Sequence, residues 1–310
     1  MFAFARRKRT DFIGLDISSD AIRLLQLKLR RNGWVVKNYA TAPLTAGSIT
    51  DGKIKQPQEV QAVIARLVSE TKTAGCLAAL ALPANAVISQ QITLPPRLPP
   101  LDYEIAITAN LARYFPGVTD ALCFDFLTMQ GSDATRQEIF LVAARQWQVE
   151  SYAALVNAAG LRVKVIDVDR FALIRAVPLT VAEFNEHHAV VLIHFAKQHA
   201  DLIIFSKRII LLEQRWHRED ALAFSDTVKQ ALNLYFSAAP KKIDYVVLSG
   251  ELPEEAGPLA DYFRGEAGLK IFLVDPLRKM QMAAKVDRKK IQDDASNLQI
   301  CCGLATRRFQ

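Results

Sequence analysis

Asp16, Ser18, Ser19 and Arg23 are the first residues whose types and spacing could do chemistry. An acid ends one short apolar run, Phe12 to Ile17. A small polar turn, Ser18-Ser19-Asp20, follows, and a base lies on the next run, Ala21 to Leu29. Two short apolar runs split by a tight polar turn predict a β-hairpin. Backbone N–H groups in such a turn form a concavity for an anion, and a carboxylate beside it can hold a hydrated Mg²⁺. The same pattern also suits an ordinary amphipathic hairpin that binds nothing.

Other constellations carry less chemistry. The five histidines, His187, His188, His194, His199 and His217, do not pair with cysteine or carboxylate at zinc-ligand spacing. There is no G-x-S-x-G elbow and no G-x-x-x-x-G-K-[ST] loop. Asp167 and Asp169 end an expected strand, where residues two apart share one face. They read either as paired acids or as the cap of a helix starting at Arg170.

The elements that must hold these residues follow in order. Arg31-Asn32-Gly33 is a hairpin turn into a third strand, Gly33 to Ala40. Pro57 opens a helix to Lys72, with Val60, Val63, Ile64, Leu67 and Val68 at helical spacing. Cys76 to Leu82 is a buried strand, and the alternating segment from Pro83 ends in Pro95, Pro96, Pro99 and Pro100. Asp102 is expected to cap a helix running to Tyr114. Strands Leu122 to Met129 and Glu138 to Ala144 flank a turn at Gly131-Ser132-Asp133, and a helix from Gln148 to Ala159 stops at Gly160. Residues 83–160 thus read as a compact α/β insert. Strands Val190 to His194, Asp201 to Phe205 and Ile209 to Leu212 come next. A helix from Asp220 to Ala239, a strand from Lys241 to Gly250, a helix from Leu259 to Gly265 and a strand from Leu269 to Val274 follow. A capped helix, Asp294 to Phe309, closes the chain.

The 310 residues exceed one ordinary domain, which predicts two lobes. A chain 51% hydrophobic and 23% charged has ample core, and no apolar run reaches a membrane span. Met1 to Arg9 has its basic cluster after the apolar residues, the wrong order for a secretory signal. Arg6, Arg7, Lys8 and Arg9 supply four charges of a net +7, so residues 1–10 read as a basic tail for nucleic acid, for an anionic membrane, or simply for solvent. The lack of basic stretches interleaved with stacking aromatics argues against nucleic acid. Cys76, Cys123, Cys301 and Cys302 form no C-x-x-C pair, and reduced thiols are expected.

The first hairpin resembles the first phosphate hairpin of the actin, Hsp70 and sugar-kinase superfamily. More closely, it is similar to the start of the PilM family of type IV pilus assembly. Members often read G-x-D-I-G-S-S-x-[IV]-K-x-x-x-L, and this chain has Gly14, Asp16, Ile17, Ser18, Ser19, Ile22, Arg23 and Leu27. Ser18 stands where many members have glycine, and Arg23 stands for lysine. Asp51-Gly52-Lys53-Ile54 looks like the family's D-G-x-I. The pattern A-x-P-x-x-x-V-x-x-x-x-I-x-L-P appears as Ala81, Pro83, Val87, Ile92, Leu94 and Pro95, and the aromatic-Pro stop as Tyr114, Phe115 and Pro116. The return A-G-L-x-x-x-x-x-D-x-x-x-x-A-L-x-R appears as Ala159, Gly160, Leu161, Asp167, Ala172, Leu173 and Arg175. The segment Cys301 to Phe309 resembles the finish A-x-G-L-A-x-R-x-F. The likeness runs in order over residues 11–309.

The resemblance implies an α/β, two-lobed actin-like fold of the FtsA/PilM type. The first lobe would span 11–186 with the inserted subdomain 83–160, and the second 187–310. The last subdomain would be trimmed, because the third strand and the helix from Asp220 are nearly contiguous. By family position the nucleotide-binding residues are Asp16, Ser18, Ser19, Arg23, His194, Ala196, Ser249, Gly250 and Glu251. Several are altered. His194 replaces an aspartate and cannot orient metal-bound water as a carboxylate does. Ala196 replaces a glycine, bringing a Cβ where a phosphate needs close approach or where φ is positive. Glu251 replaces a second glycine and sets negative charge near an anionic ligand. The site reads as vestigial, with ATP and Mg²⁺ bound weakly or not at all and no catalytic residue. In this superfamily an acid near Asp167 or Asp169 can act on the attacking water. The family likeness further implies a cytoplasmic scaffold peripheral to the inner membrane. It would bind the cytoplasmic N-terminal tail of PilN in a groove beside the insert and link it to other platform or motor components. Self-association and contact with an anionic membrane surface are compatible with this; nucleic acid is not expected. The other reading is an active actin-like ATPase of the same machinery.

Overall fold

The computed structural model describes residues 12–129, 135–181, 184–185, 188–207, 209–217, 224–238, 242–253, 256–265 and 268–307. The basic tail, the turn at Gly131-Ser132-Asp133, the boundary at Glu186 and His187, the helix start at Asp220 and Phe309 lie outside the described residues.

Strands β1 (Ile13–Ile17), β2 (Ala21–Arg30) and β3 (Gly33–Pro43) form an antiparallel meander. A small hairpin follows, β4 (Ile49–Thr50) and β5 (Lys53–Ile54), turning at Asp51 and Gly52, both with positive φ. Helix α1 (Pro57–Thr71) starts on proline and buries Val60, Ile64, Leu67 and Val68 on one face. Strand β6 (Leu77–Leu82) pairs parallel with β1.

The insert follows. It holds β7 (Val87–Leu94), α2 (Pro100–Ala109), α3 (Leu111–Tyr114), β8 (Leu122–Thr128), β9 (Gln137–Arg145) and α4 (Gln146–Ala158). Its sheet has the order β7-β9-β8 and its own core of Ile92, Tyr103, Ile107, Phe115, Ile139 and Leu141. Asp102 does not cap α2. Pro99 precedes the helix and Pro100 begins it, because proline's fixed φ suits the first helical position. The helix breaks at Asn110, whose amide donates to Ala106 O at 2.9 Å.

β10 (Arg162–Val168) pairs parallel with β6 and leads into α5 (Asp169–Thr180). β11 (Ala189–Phe195), β12 (His199–Ser206) and β13 (Ile209–His217) form a second meander. α6 (Phe224–Ala238), β14 (Ile243–Gly250), α7 (Ala256–Gly265) and β15 (Lys270–Leu273) follow. Only six residues separate β13 from α6, too few for a further subdomain. β16 (Gln281–Met282) pairs parallel with β3, and α8 (Arg288–Asp293) and α9 (Gln299–Ala305) end the described chain.

The expected single helix over 294–309 is instead a 3-10 turn, Ala295–Leu298, followed by α9. The Asp294 carboxylate does not cap it; it accepts from the Tyr39 hydroxyl.

The two large sheets repeat one plan. The first has the order β10-β6-β1-β2-β3-β16 and the second β13-β12-β11-β14-β15. Each is a three-stranded meander whose first strand takes a parallel neighbour. Between them lie α5 and α9, in a core joining Phe12, Ala79 and Ala81 of one sheet to Val190, Leu192, Tyr245 and Val247 of the other. Two glycines permit this close packing. A Cβ on Gly303 would lie 1.9 Å from Ala172 O of α5, and one on Gly14 would lie 2.1 Å from Cys301 O.

Candidate functional site

The first hairpin is closed on itself. In the β1–β2 register Asp16 faces Arg23, and Ser18 N donates to Ala21 O at 3.1 Å to tighten the turn. The Ser18 hydroxyl donates to Asp16 Oδ1 at 2.8 Å. Arg23 reaches Asp16 Oδ2 at 3.5 Å with Nη1 and Asp20 Oδ2 at 2.8 Å with Nη2. Asp16 and Arg23 are both buried. Burial pushes the Asp16 carboxyl above the usual range, against the pull of Arg23 and Ser18. Burial works against the Arg23 charge, but Asp16 and Asp20 outweigh it and keep the guanidinium protonated. Ser19 sits in the same turn and is half-buried.

The second meander places His194 opposite Asp201 on β12 and beside Ser249 on β14. His194 Nδ1 and Ser249 Oγ are 2.9 Å apart, both buried. Burial lowers the His194 pKa to about 4, so the imidazole is neutral at neutral pH; the charges of Arg23 and Arg215 push the same way. Arg23 of the first hairpin and Arg215 of β13 thus both disfavour a charge on His194. Asp201 is pinned by Arg215, at 2.5 Å to Oδ1 and 3.0 Å to Oδ2, with His199 at 3.4 Å. Burial raises its pKa, but these bonds prevail and hold it below the usual carboxylate range.

Ala196 N donates to His199 O at 2.9 Å, closing the turn, and φ at Ala196 is not positive. Of the two expectations for this position, a positive φ does not hold, and alanine fits the turn as it stands; the close approach of a phosphate is a separate matter. Gly250 does need to be glycine. Its φ is +84°, and a Cβ would lie 2.0 Å from Phe195 O. Phe195 O in turn accepts from Glu251 N at 2.8 Å, while the Glu251 side chain is exposed.

Asp167 and Asp169 do not share a face in the way a continued strand would require, because the chain turns into α5 at Asp169. Asp167 pairs with Arg175 at 2.9 Å and Arg307 at 2.7 Å. Asp169 accepts from Ala84 N at 3.1 Å and from Arg170 N at 2.5 Å, and it does not cap the helix from the preceding position. Burial raises its pKa to about 6, against the pull of Arg215.

A groove of about 490 Å³ was not expected residue by residue. It lies between the insert, the first sheet and α5, lined by Phe124, Phe126, Phe140, Phe171, Val142 and Ile174, with Asp167, Arg175 and Arg307 at a charged end. The signal for that end was in the sequence. Asp167 and Arg175 belong to the return motif and Arg307 to the closing motif, but nothing in their spacing says that they meet.

A family model described as type IV pilus assembly protein PilM matches residues 14–217 and 219–309. Among solved structures, the chain is similar to one described as a PilM-PilN type IV pilus biogenesis complex. The TM-score is 0.77 at 17% identity, covering 96% of this chain and 98% of that chain. It is also similar to the cytoplasmic domain of EpsL, an inner membrane component of the type II secretion system of Vibrio cholerae. Here the TM-score is 0.52 at 11% identity, covering 97% of each chain. At such identities the likeness is one of fold, and the duplicated sheets make that fold actin-like.

Proposed function

We propose a function from one premise: the chain belongs to the type IV pilus assembly protein PilM family, whose model spans nearly all of it. The function is that of a non-catalytic cytoplasmic scaffold at the inner face of the inner membrane. It binds the N-terminal tail of PilN and links it to the pilus motor. The similar solved structure is itself described as a complex of PilM with PilN. No helix among the described residues is long and apolar enough to cross a membrane, so attachment is peripheral in this reading.

The groove carries the peptide-binding part. Five consecutive residues of β8, Cys123 to Leu127, line it. Side chains alternate faces along a strand, so a run of neighbours can line one groove only along the strand's edge. Among the described residues β8 is an edge strand, paired with β9 alone. An extended peptide can add its main chain there while its apolar side chains meet Phe124, Phe140 and Phe171. With the chain divided into a first lobe, 11–186, and a second, 187–310, the groove lies mainly between the 83–160 subdomain and the remainder of the first lobe, and Ile209 and Arg307 of the second lobe also line it. The second lobe, 187–310, does not supply β8 or its partner.

The non-catalytic part rests on the fit of the hairpins to Mg²⁺ and a triphosphate, and they do not fit. Arg23 would have to leave two carboxylates to meet a phosphate. The aspartate position holds a neutral imidazole, and Asp201 is already engaged by Arg215. The nine residues from Asp16 to Glu251 are therefore read as a vestigial site whose charges now hold the hairpins in place.

The test is a titration of a PilN-tail peptide into the full chain and into Phe171→Ala. Phe171 and Phe140 pack edge to face, with ring centroids 6.0 Å apart. Phe171 is half-buried, and an aromatic anchor covered by the peptide predicts about thirtyfold weaker binding after truncation. Unchanged affinity in Phe171→Ala would overturn the assignment of the groove.

A further inference from the structure

The charge of this chain is concentrated on one face that the proposed function does not use. Residues 28–37 and 278–293 hold ten Lys and Arg against two Asp, a net +8, whereas the entire chain carries +7. The two segments are far apart in sequence and meet in the fold. Gln281 and Met282 of β16 pair with Val35 and Val36 of β3, and Ala283 N donates to Val36 O at 2.9 Å. Arg30, Arg31, Arg278, Lys279, Lys285, Arg288, Lys289 and Lys290 are all exposed. None of the eight forms an ion pair with a carboxylate among the described residues. A shallow groove of about 770 Å³ opens in the middle of this face. Met280 and Met282 line it, packed on the core beneath, together with Gln281 and, from α8, Arg288, Lys289, Gln292 and Asp293, the one acid among these residues.

We propose that this face docks on an anionic phospholipid bilayer. A broad set of unpaired cations concentrated on one side of a molecule is attracted to a negative lipid surface, and each cation adds to the attraction. The methionine-lined groove offers an adaptable apolar surface at the centre of the contact. Single-stranded nucleic acid would need aromatic side chains on which bases stack, and the two segments contribute only Trp34, which is half-buried. The face is built from described residues, and Arg6 to Arg9 contribute nothing to the charge counted on it. The inference rests on the peripheral membrane placement proposed above, but not on peptide or nucleotide binding.

Flotation of the full chain with phosphatidylglycerol-containing and pure phosphatidylcholine vesicles tests it. Binding should require the anionic lipid and weaken as salt rises to physiological strength. Arg288→Gln combined with Lys289→Gln should bind the anionic vesicles about thirtyfold more weakly, roughly fivefold for each charge. Lys53→Gln combined with Lys55→Gln removes the same net charge from two exposed positions, in β5 and just after it, and should bind as the parent does. PilN-tail peptide affinity should be unchanged in both, which separates a failure here from a failure of the groove assignment. An equal loss in both double variants would overturn the proposal, as would binding to phosphatidylcholine alone. So would a tighter affinity for duplex DNA or an acidic peptide than for the vesicles.

Discussion

Replacing His194 with glutamine should change how stability depends on pH, by an amount the structure allows to be worked out. His194 is buried against Ser249, and its pKa falls from the ordinary 6.5 to about 4. Between those values the unfolded chain binds a proton that the native chain refuses. Native stability therefore rises with pH through this window, is fully present above about 6.5, and is lost as pH falls toward 4. At about pH 4.5 the wild type should have lost roughly 2.5 kcal/mol through this one group. Asp169, raised to about 6, titrates in the same window with the opposite sign, because there the native state binds the extra proton. Asp169 is present in both proteins, so its contribution cancels in the difference. Glutamine can still bond Ser249 but has no proton to gain. Urea denaturation of wild type and His194→Gln near pH 7.5 and about pH 4.5 measures the effect. The gap between the two proteins should shift by about 2.5 kcal/mol in favour of the variant at the lower pH. Parallel pH profiles would refute the reasoning. They would mean that the imidazole can carry charge in the cleft, where a cation would favour an anionic ligand.

Two further outcomes follow from the same geometry. Gly250→Ala should destabilise the protein by roughly 3 kcal/mol, since it forces a side chain into a left-handed backbone and against Phe195 O; a change in urea midpoint too small to resolve would contradict this. Arg23→Gln should cost about 3 kcal/mol at neutral pH by leaving Asp16 buried without its cation. Because burial already raises the Asp16 pKa, that cost should shrink on acidification as the carboxyl takes up a proton, read by the same denaturation series.

The hairpins were legible because their signals are local. Apolar runs broken by Ser18-Ser19-Asp20 or Asn32-Gly33 specify strands and turns within a few residues. The helix ends were less so, because a cap is decided by what else competes for the side chain. Asp294 would cap a helix in isolation but is taken by Tyr39, and Asp102 falls inside a helix that Pro100 has already begun. The candidate site residues were named by family position, and their surroundings were not visible in the sequence. That Arg23 is held by two carboxylates, or that His194 lies beside Ser249, depends on register and on burial between strands distant in sequence. The groove and the basic face were hidden for the same reason. Asp167 meets Arg307, and residues 28–37 meet 278–293, only once the sheets and α9 are assembled.

The central claim is that this actin-like chain works without nucleotide, and calorimetric titration of ATP and Mg²⁺ into nucleotide-stripped protein tests it most directly. Losing the metal-orienting carboxylate and adding Glu251 each cost roughly 1 to 3 kcal/mol. Two such losses move a micromolar site to about millimolar at 1.4 kcal/mol per decade. The account predicts no heat of binding in the micromolar range, no turnover above background, and an unchanged affinity for the PilN-tail peptide whether or not ATP is added. A dissociation constant below about ten micromolar, accompanied by turnover that Asp16→Ala abolishes, would contradict it.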